Sequence, residues 1–282
     1  MKQQRSLSSV LKRTGEGLFL AIFGVINLVP IFWGMITSLK ETRDINAFPP
    51  KIFNFDATFE HYKTVLSAGF FHTILNSALY AVLAILVGVF LGYLAGYGFA
   101  RRDFPLKRLA FFLVIVGIPL SGGSSVLLIP NYMYIMKLGL TNHWYTLPLV
   151  YTAYNLPMTI WLMISGIKAV PIELEEAAMV DGARQGFILG KLLPPLVKPS
   201  AAAAALLIFI NAWNDYITAS VMVTGTELKN IQMAIYDYMG FFGQEWGPLT
   251  ASATFAIIPI LLVFTFLGKQ LVSGLTAGAV KG

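Results

Sequence analysis

The side chains that usually carry out chemistry are few in this chain, and badly spaced for it. The three histidines, His61, His72 and His143, are scattered and lack metal-ligand spacing. Cysteine is absent, which removes disulfides, thiolate metal sites and thiol nucleophiles together. Gly190-Lys191 and Gly268-Lys269 lack the upstream glycine and the following Ser or Thr of a phosphate-cradling P-loop. Asp215 is the one carboxylate clearly inside an apolar stretch, so acid–base work by paired carboxylates lacks its second member. No catalytic residue and no metal site follow from this inventory, and no cofactor is expected in the chain.

Composition says where such a sequence lives. Of 282 residues, 56% are hydrophobic and 12% charged, with a mean hydropathy of +0.70. Soluble domains carry about 25% charged residues. The net charge of +6 in so apolar a chain points to membrane topology, not nucleic acid. Stretches without Asp, Glu, Lys or Arg run over 17–39, 64–100, 109–136, 138–167 and 246–268, and a sixth, 199–226, is interrupted only by Asp215. Each exceeds the roughly 20 residues that a helix needs to cross the hydrocarbon core. The expected fold is therefore all-α, a polytopic membrane protein with six transmembrane helices. Its parts are a tail at 1–16, a transmembrane region at 17–272 and a second tail at 273–282.

Basic residues orient it. With the N-terminus inside, fourteen Lys and Arg fall on the cytoplasmic side and six outside, so both termini are expected in the cytoplasm. The outer segments, 40–67 and 224–248, are long and aromatic. The second span carries Gly88, Gly92 and Gly96 on one helix face, which lets another backbone approach closely. The third carries Pro119, Gly122, Gly123 and Pro130, which predict a bend or break.

The inner segment 168–200 is of another kind. Pro171 can open a helix, with Glu173, Glu175 and Glu176 in its first turns where the helix dipole favours carboxylates. Gly182 can close that helix with a left-handed cap. A second short helix is expected over 183–193, stopped by Pro194 and Pro195. On the residues alone, a docking element and an ordinary solvated loop both fit.

Glu176-Ala177-Ala178, then Asp181-Gly182-Ala183, then Pro195, resemble the EAA loop of ABC importer permeases. Gly182 lies four residues after Ala178 and Pro195 thirteen after Gly182, as in that motif, with Pro194 standing where leucine is usual. The stretch 97–101, Ile129-Pro130-Asn131-Tyr132, Trp213-Asn214-Asp215-Tyr216 and the ending 274–282 are similar to the carbohydrate branch, especially to the smaller, second permease of maltose-type transporters.

That resemblance implies a permease for sugars or oligosaccharides in the bacterial inner membrane, working by alternating access and without its own ATPase site. It implies a second homologous permease, two cytoplasmic ATPase subunits that bind ATP and magnesium, and an external sugar-binding protein as partners, alongside membrane lipid. The residues implied for ATPase coupling are Glu176, Ala177, Ala178, Asp181, Gly182 and Pro195, and the C-terminal tail around Gly278 and Lys281 is implied to reach the ATPase. Trp213, Asn214, Asp215 and Tyr216 are candidates for the substrate path, or for a structural network between helices. An ion-coupled secondary transporter is the alternative from another class, although it would leave the docking loop unexplained. An amino-acid or peptide permease would share the EAA loop but not the C-terminal ending.

Overall fold

The computed structural model describes residues 7–121, 125–240 and 243–276. In chain order the helices are α1 (Leu7–Ser38), α2 (Thr42–Ile45), α3 (Glu60–Ser67), α4 (Phe70–Arg101), α5 (Lys107–Ser121), α6 (Ser125–Lys137) and α7 (Thr146–Ala169). They continue with α8 (Glu173–Val180), α9 (Gln185–Phe187), a π-helical turn (Ile188–Leu192), α10 (Leu193–Leu196), α11 (Lys198–Asn214), α12 (Ile217–Met222), α13 (Ile231–Tyr236) and α14 (Trp246–Thr276). A two-stranded hairpin, β1 (Met239–Gly240) with β2 (Gly243–Gln244), precedes α14.

Among the described residues, four helices are long and apolar enough to span a bilayer: 16–38, 70–101, 146–169 and 246–266. A fifth is counted if 185–196 and 198–214, bent by 75°, form one broken span. The expected stretch 109–136 is divided between α5 and α6, of 15 and 13 residues, each too short to cross alone. Pro119 and Pro130 lie inside these two helices, and Gly122 and Gly123 lie outside the described residues.

Two compact units are present. The first joins residues up to Ala68 with 237–255. In it the Ser38 and Tyr62 hydroxyls share a hydrogen bond of 2.7 Å, and His61 Nε2 lies 2.8 Å from the Lys40 carbonyl. The Lys40 ammonium sits over the Trp33 and Phe55 rings. Burial pushes its pKa down, and neighbouring Asp44 pushes it partly back up. The apolar side chains of α1 from Leu18 to Val29 are left bare by the chain itself, as suits a helix facing lipid or another subunit.

The second unit, 69–236 with 256–282, is built on α4, α7 and α11. The expected glycine face of α4 is where the others approach. A Cβ on Gly96 would come within 2.6 Å of Met163 Cβ, and one on Gly88 within 3.1 Å of Ile208 Cδ1. Between helices in a bilayer the gain from such closeness is van der Waals packing, because lipid tails already solvate apolar groups. At the C-terminal end of α4, Ile188, Leu193 and Val197 enter the same core as Tyr97, Met163 and Ile167. The segment between α7 and α11 is therefore anchored in the bundle.

Candidate functional site

The site is built from α8 outward. Its first turn carries Glu173, Glu175 and Glu176, as the dipole favours. Its end is a full Schellman motif: Gly182 N–H donates to Met179 O at 3.0 Å and Ala183 N–H to Ala178 O at 2.9 Å. Gly182 has φ +83, which meets the expectation of a left-handed cap. Nothing lies within 4 Å of the position its Cβ would take, so the glycine is required by backbone conformation and not by crowding within the chain.

The second half differs from expectation. Helix resumes at Gln185, winds as a π-turn from Ile188 to Leu192, and runs on through Pro194 and Pro195 to Leu196. The prolines occupy the opening turn of α10 instead of ending a helix. The Leu189 carbonyl, one π-turn before Pro194, accepts from the Tyr93 hydroxyl at 2.7 Å in place of the missing N–H.

Two adjacent glutamates point in opposite directions. Glu176 is exposed, as are Ala177, Asp181, Gly182 and Pro195, while Ala178 is half-buried. Glu175 is 3% exposed and receives Arg101 Nε at 2.6 Å on Oε1 and the Tyr97 hydroxyl at 3.2 Å on Oε2. Arg101 Nη2 also donates to the carbonyls of Ile167 and Val170, at 2.9 and 2.7 Å. Gln185 Nε2 donates to the Tyr97 hydroxyl at 2.5 Å, and Arg102 donates to Gln185 Oε1 at 3.0 Å. Tyr93 donates to the Leu189 carbonyl at 2.7 Å. One face of α4 thus holds both halves of the loop.

Sequence reasoning singled out the outward residues and missed Glu175, Arg101, Tyr97 and Gln185. A signal was available: Arg101 ends a long apolar helix, and a guanidinium there with its N–H donors to satisfy makes a buried carboxylate nearby expected. Also missed were the bare apolar side chains of the loop. Val180 is 87% exposed, and Met179, Ile172, Leu174 and Phe187 are each about half exposed on the segment between α7 and α11. Apolar knobs beside the exposed charges Glu173, Glu176 and Asp181 have the composition of a protein interface.

The four residues at 213–216 are placed differently from one another. Trp213 is buried, stacked on Phe209, with its indole N–H donating to Ala256 O at 3.2 Å. Asp215 caps the opening of α12 by accepting from Thr218 N at 3.1 Å and Ala219 N at 2.9 Å, and it receives the Tyr151 hydroxyl at 2.8 Å. Asn230 Nδ2 donates to the Asp215 carbonyl at 2.5 Å. Tyr216 stacks on Tyr236 at 3.9 Å. Asn214 is exposed and bonds only within its own helix. Gly278 and Lys281 lie outside the described residues. Among the described residues, no group of three or more His, Asp or Glu is placed to hold a metal ion.

The described residues thus form a helical membrane bundle with a rigidly held, apolar-tipped loop between α7 and α11. Residues 88–276 match the family model of the binding-protein-dependent transport system inner membrane component. The chain belongs to that family, and is an ABC importer permease. It is similar to the diacetylchitobiose uptake system permease protein DasC of Streptomyces coelicolor, at 34% identity covering 93% of this chain and 95% of that one. The trehalose/maltose transport system permease protein MalG of Thermococcus litoralis is 31% identical, covering 97% and 98%. Among solved structures, a chain of a bacterial ABC transporter importing the acidic polysaccharide alginate has the same fold, with TM-score 0.78 at 22% identity, covering 94% of this chain and 98% of that one.

Proposed function

We propose that this chain imports a sugar or oligosaccharide as one of two permease subunits, with the loop 168–200 as its joint to a cytoplasmic ATPase. The observation that carries the reading is the opposed pair Glu175 and Glu176. One fastens the loop to α4 through Arg101, and its neighbour is left free at a surface with exposed Val180 and Met179. An ordinary loop has no need of a buried ion pair at its root. Chain-length relatives named for diacetylchitobiose and for trehalose/maltose support the sugar class.

In this reading α5 and α6 together make the sixth span, both termini are cytoplasmic, and 40–67 and 224–248 face outward toward a sugar-binding protein. Two ATPase copies supply ATP and magnesium binding, one docking here and the other on the second permease. The tail around Gly278 and Lys281 lies against the ATPase. Closure of the ATPase dimer shifts the permease between two states only as far as the loop makes different contacts in each. Asn214 is the member of 213–216 free to meet substrate, while Trp213, Asp215 and Tyr216 hold the outer break between α11 and α12. The carboxylate of Asp215 already accepts three hydrogen bonds, which argues against a coupling-ion site there.

The deciding experiment is reconstitution with the partner permease, ATPase and binding protein, followed by uptake of labelled disaccharides. ATP-dependent uptake that is lost in Glu176→Lys while the complex still assembles supports the reading. Uptake driven by an ion gradient without ATP overturns it.

A further inference from the structure

The cytoplasmic ends of α4, α5 and α7 enclose a cavity of about 330 Å³ that the coupling role does not use. Phe99, Phe111 and Ile164 form its apolar wall, and Lys107, Arg108 and Lys168 bring three cations against one carboxylate, Asp103. Lys107 is engaged, donating to Asp103 Oδ1 at 3.0 Å and to the Arg102 carbonyl at 2.7 Å. Among the described residues, Arg108 and Lys168 are exposed and have no ion pair or side-chain hydrogen bond. Lys168 lies in the last turn of α7, where the helix dipole favours a cation. Lys107 and Arg108 instead open α5, where the dipole disfavours them; Asp103 offsets Lys107, and no carboxylate pairs with Arg108 among the described residues. Their placement asks for an anion.

The surface below the cavity says which anion. Phe111, Phe112 and Ile115 are exposed along α5 and follow Arg108 at three, four and seven residues, one apolar stripe on the cavity's own face of the helix. A pocket with two free cations above such a stripe has the shape of a phospholipid, headgroup above and acyl chain below. We propose that this pocket binds an anionic diacyl phospholipid of the inner leaflet, its phosphate between Arg108 and Lys168 and its chain along Phe111 and the α5 stripe. The inference rests on the membrane assignment and is independent of which solute is carried.

The test is native mass spectrometry of the assembled importer titrated with phosphatidylglycerol, and with phosphatidylcholine for comparison. The wild type should retain one phosphatidylglycerol in preference to phosphatidylcholine. Arg108→Gln with Lys168→Gln should weaken that retention about thirtyfold, or about 2 kcal/mol, from about 1 kcal/mol for each cation at an anionic lipid surface. Lys12→Gln with Arg13→Gln removes the same net charge from the N-terminal tail and should leave it unchanged. Equal loss in both double variants means diffuse surface charge and overturns the site, as does no loss in either. Displacement of the lipid by millimolar inorganic phosphate would make the site a phosphate site and overturn the lipid assignment. Should the Arg108 and Lys168 variant not assemble, a salt titration of the wild type decides: retention must fall as salt rises, and salt-independent retention refutes the proposal.

Discussion

Glu175→Ala is the most informative single change. The carboxylate and the Arg101 guanidinium are 4% and 9% exposed and 2.6 Å apart, so removing one strands the other out of water. Breaking a buried pair in this way costs about 3–5 kcal/mol. Arg101 keeps the carbonyls of Ile167 and Val170, which argues for the lower figure. A loss of about 3 kcal/mol raises the population of the detached loop roughly 150-fold. The span helices do not depend on the pair, so the complex should insert and assemble. Hydrogen exchange should speed up across 173–197 but not across 146–163, and binding-protein-stimulated ATP hydrolysis should fall well below wild type. Unchanged exchange in the loop of Glu175→Ala, with full stimulation of the ATPase, would refute the claim that this pair fastens the joint.

Gly182→Val should cost about 1–2 kcal/mol of backbone strain within the chain and, because open space surrounds the position, reduce uptake chiefly through a clash with the ATPase; pull-down of the ATPase against uptake separates the two effects. Gly96→Leu should abolish assembly, since even a Cβ there would press on Met163, and size-exclusion chromatography of the solubilised complex reads it; a monodisperse wild-type profile would contradict the packing. Asp215→Asn should destabilise the outer break by about 1–3 kcal/mol, because an amide cannot accept on both sides as the carboxylate does; faster exchange at 217–222 is the readout, and normal exchange tells against the cap. With no native thiol in the chain, a cysteine at position 281 should resist impermeant maleimide in intact cells, and labelling there would reverse the topology.

What was readable in the residues beforehand follows from range. Gly182 could be assigned its left-handed cap because a Schellman motif is local, set by a few consecutive residues. The glycine face of α4 was readable because helical spacing places residues 88, 92 and 96 together wherever the partner comes from. Arg101 signals a buried carboxylate but not that it is Glu175, because three glutamates in one turn are equivalent to the helix dipole. Only the arrival of Arg101, 74 residues away, distinguishes one of them. The prolines at 194 and 195 misled for a similar reason. Their effect depends on whether helix begins or ends there, and the burial of Ile188 and Leu193 in the bundle decides that. The span at 109–136 was legible as apolar sequence, but not as two short helices.

Successive residues on a helix are rotated by about 100°, and this places Glu175 and Glu176 in separate environments with no shared partner. Changes at such positions should add instead of interfering. The outward set, Glu176, Met179, Val180 and Phe187, is therefore open to independent revision, while Glu175, Arg101, Tyr97 and Gln185 keep the loop's position whatever the tip becomes. With the loop as the ATPase joint proposed above, such a transporter is matched to a different ATPase by exchanging a handful of tip residues, leaving its solute pathway untouched. Several permeases in one cell could then converge on a single engine by sharing a tip, each retaining its own cargo.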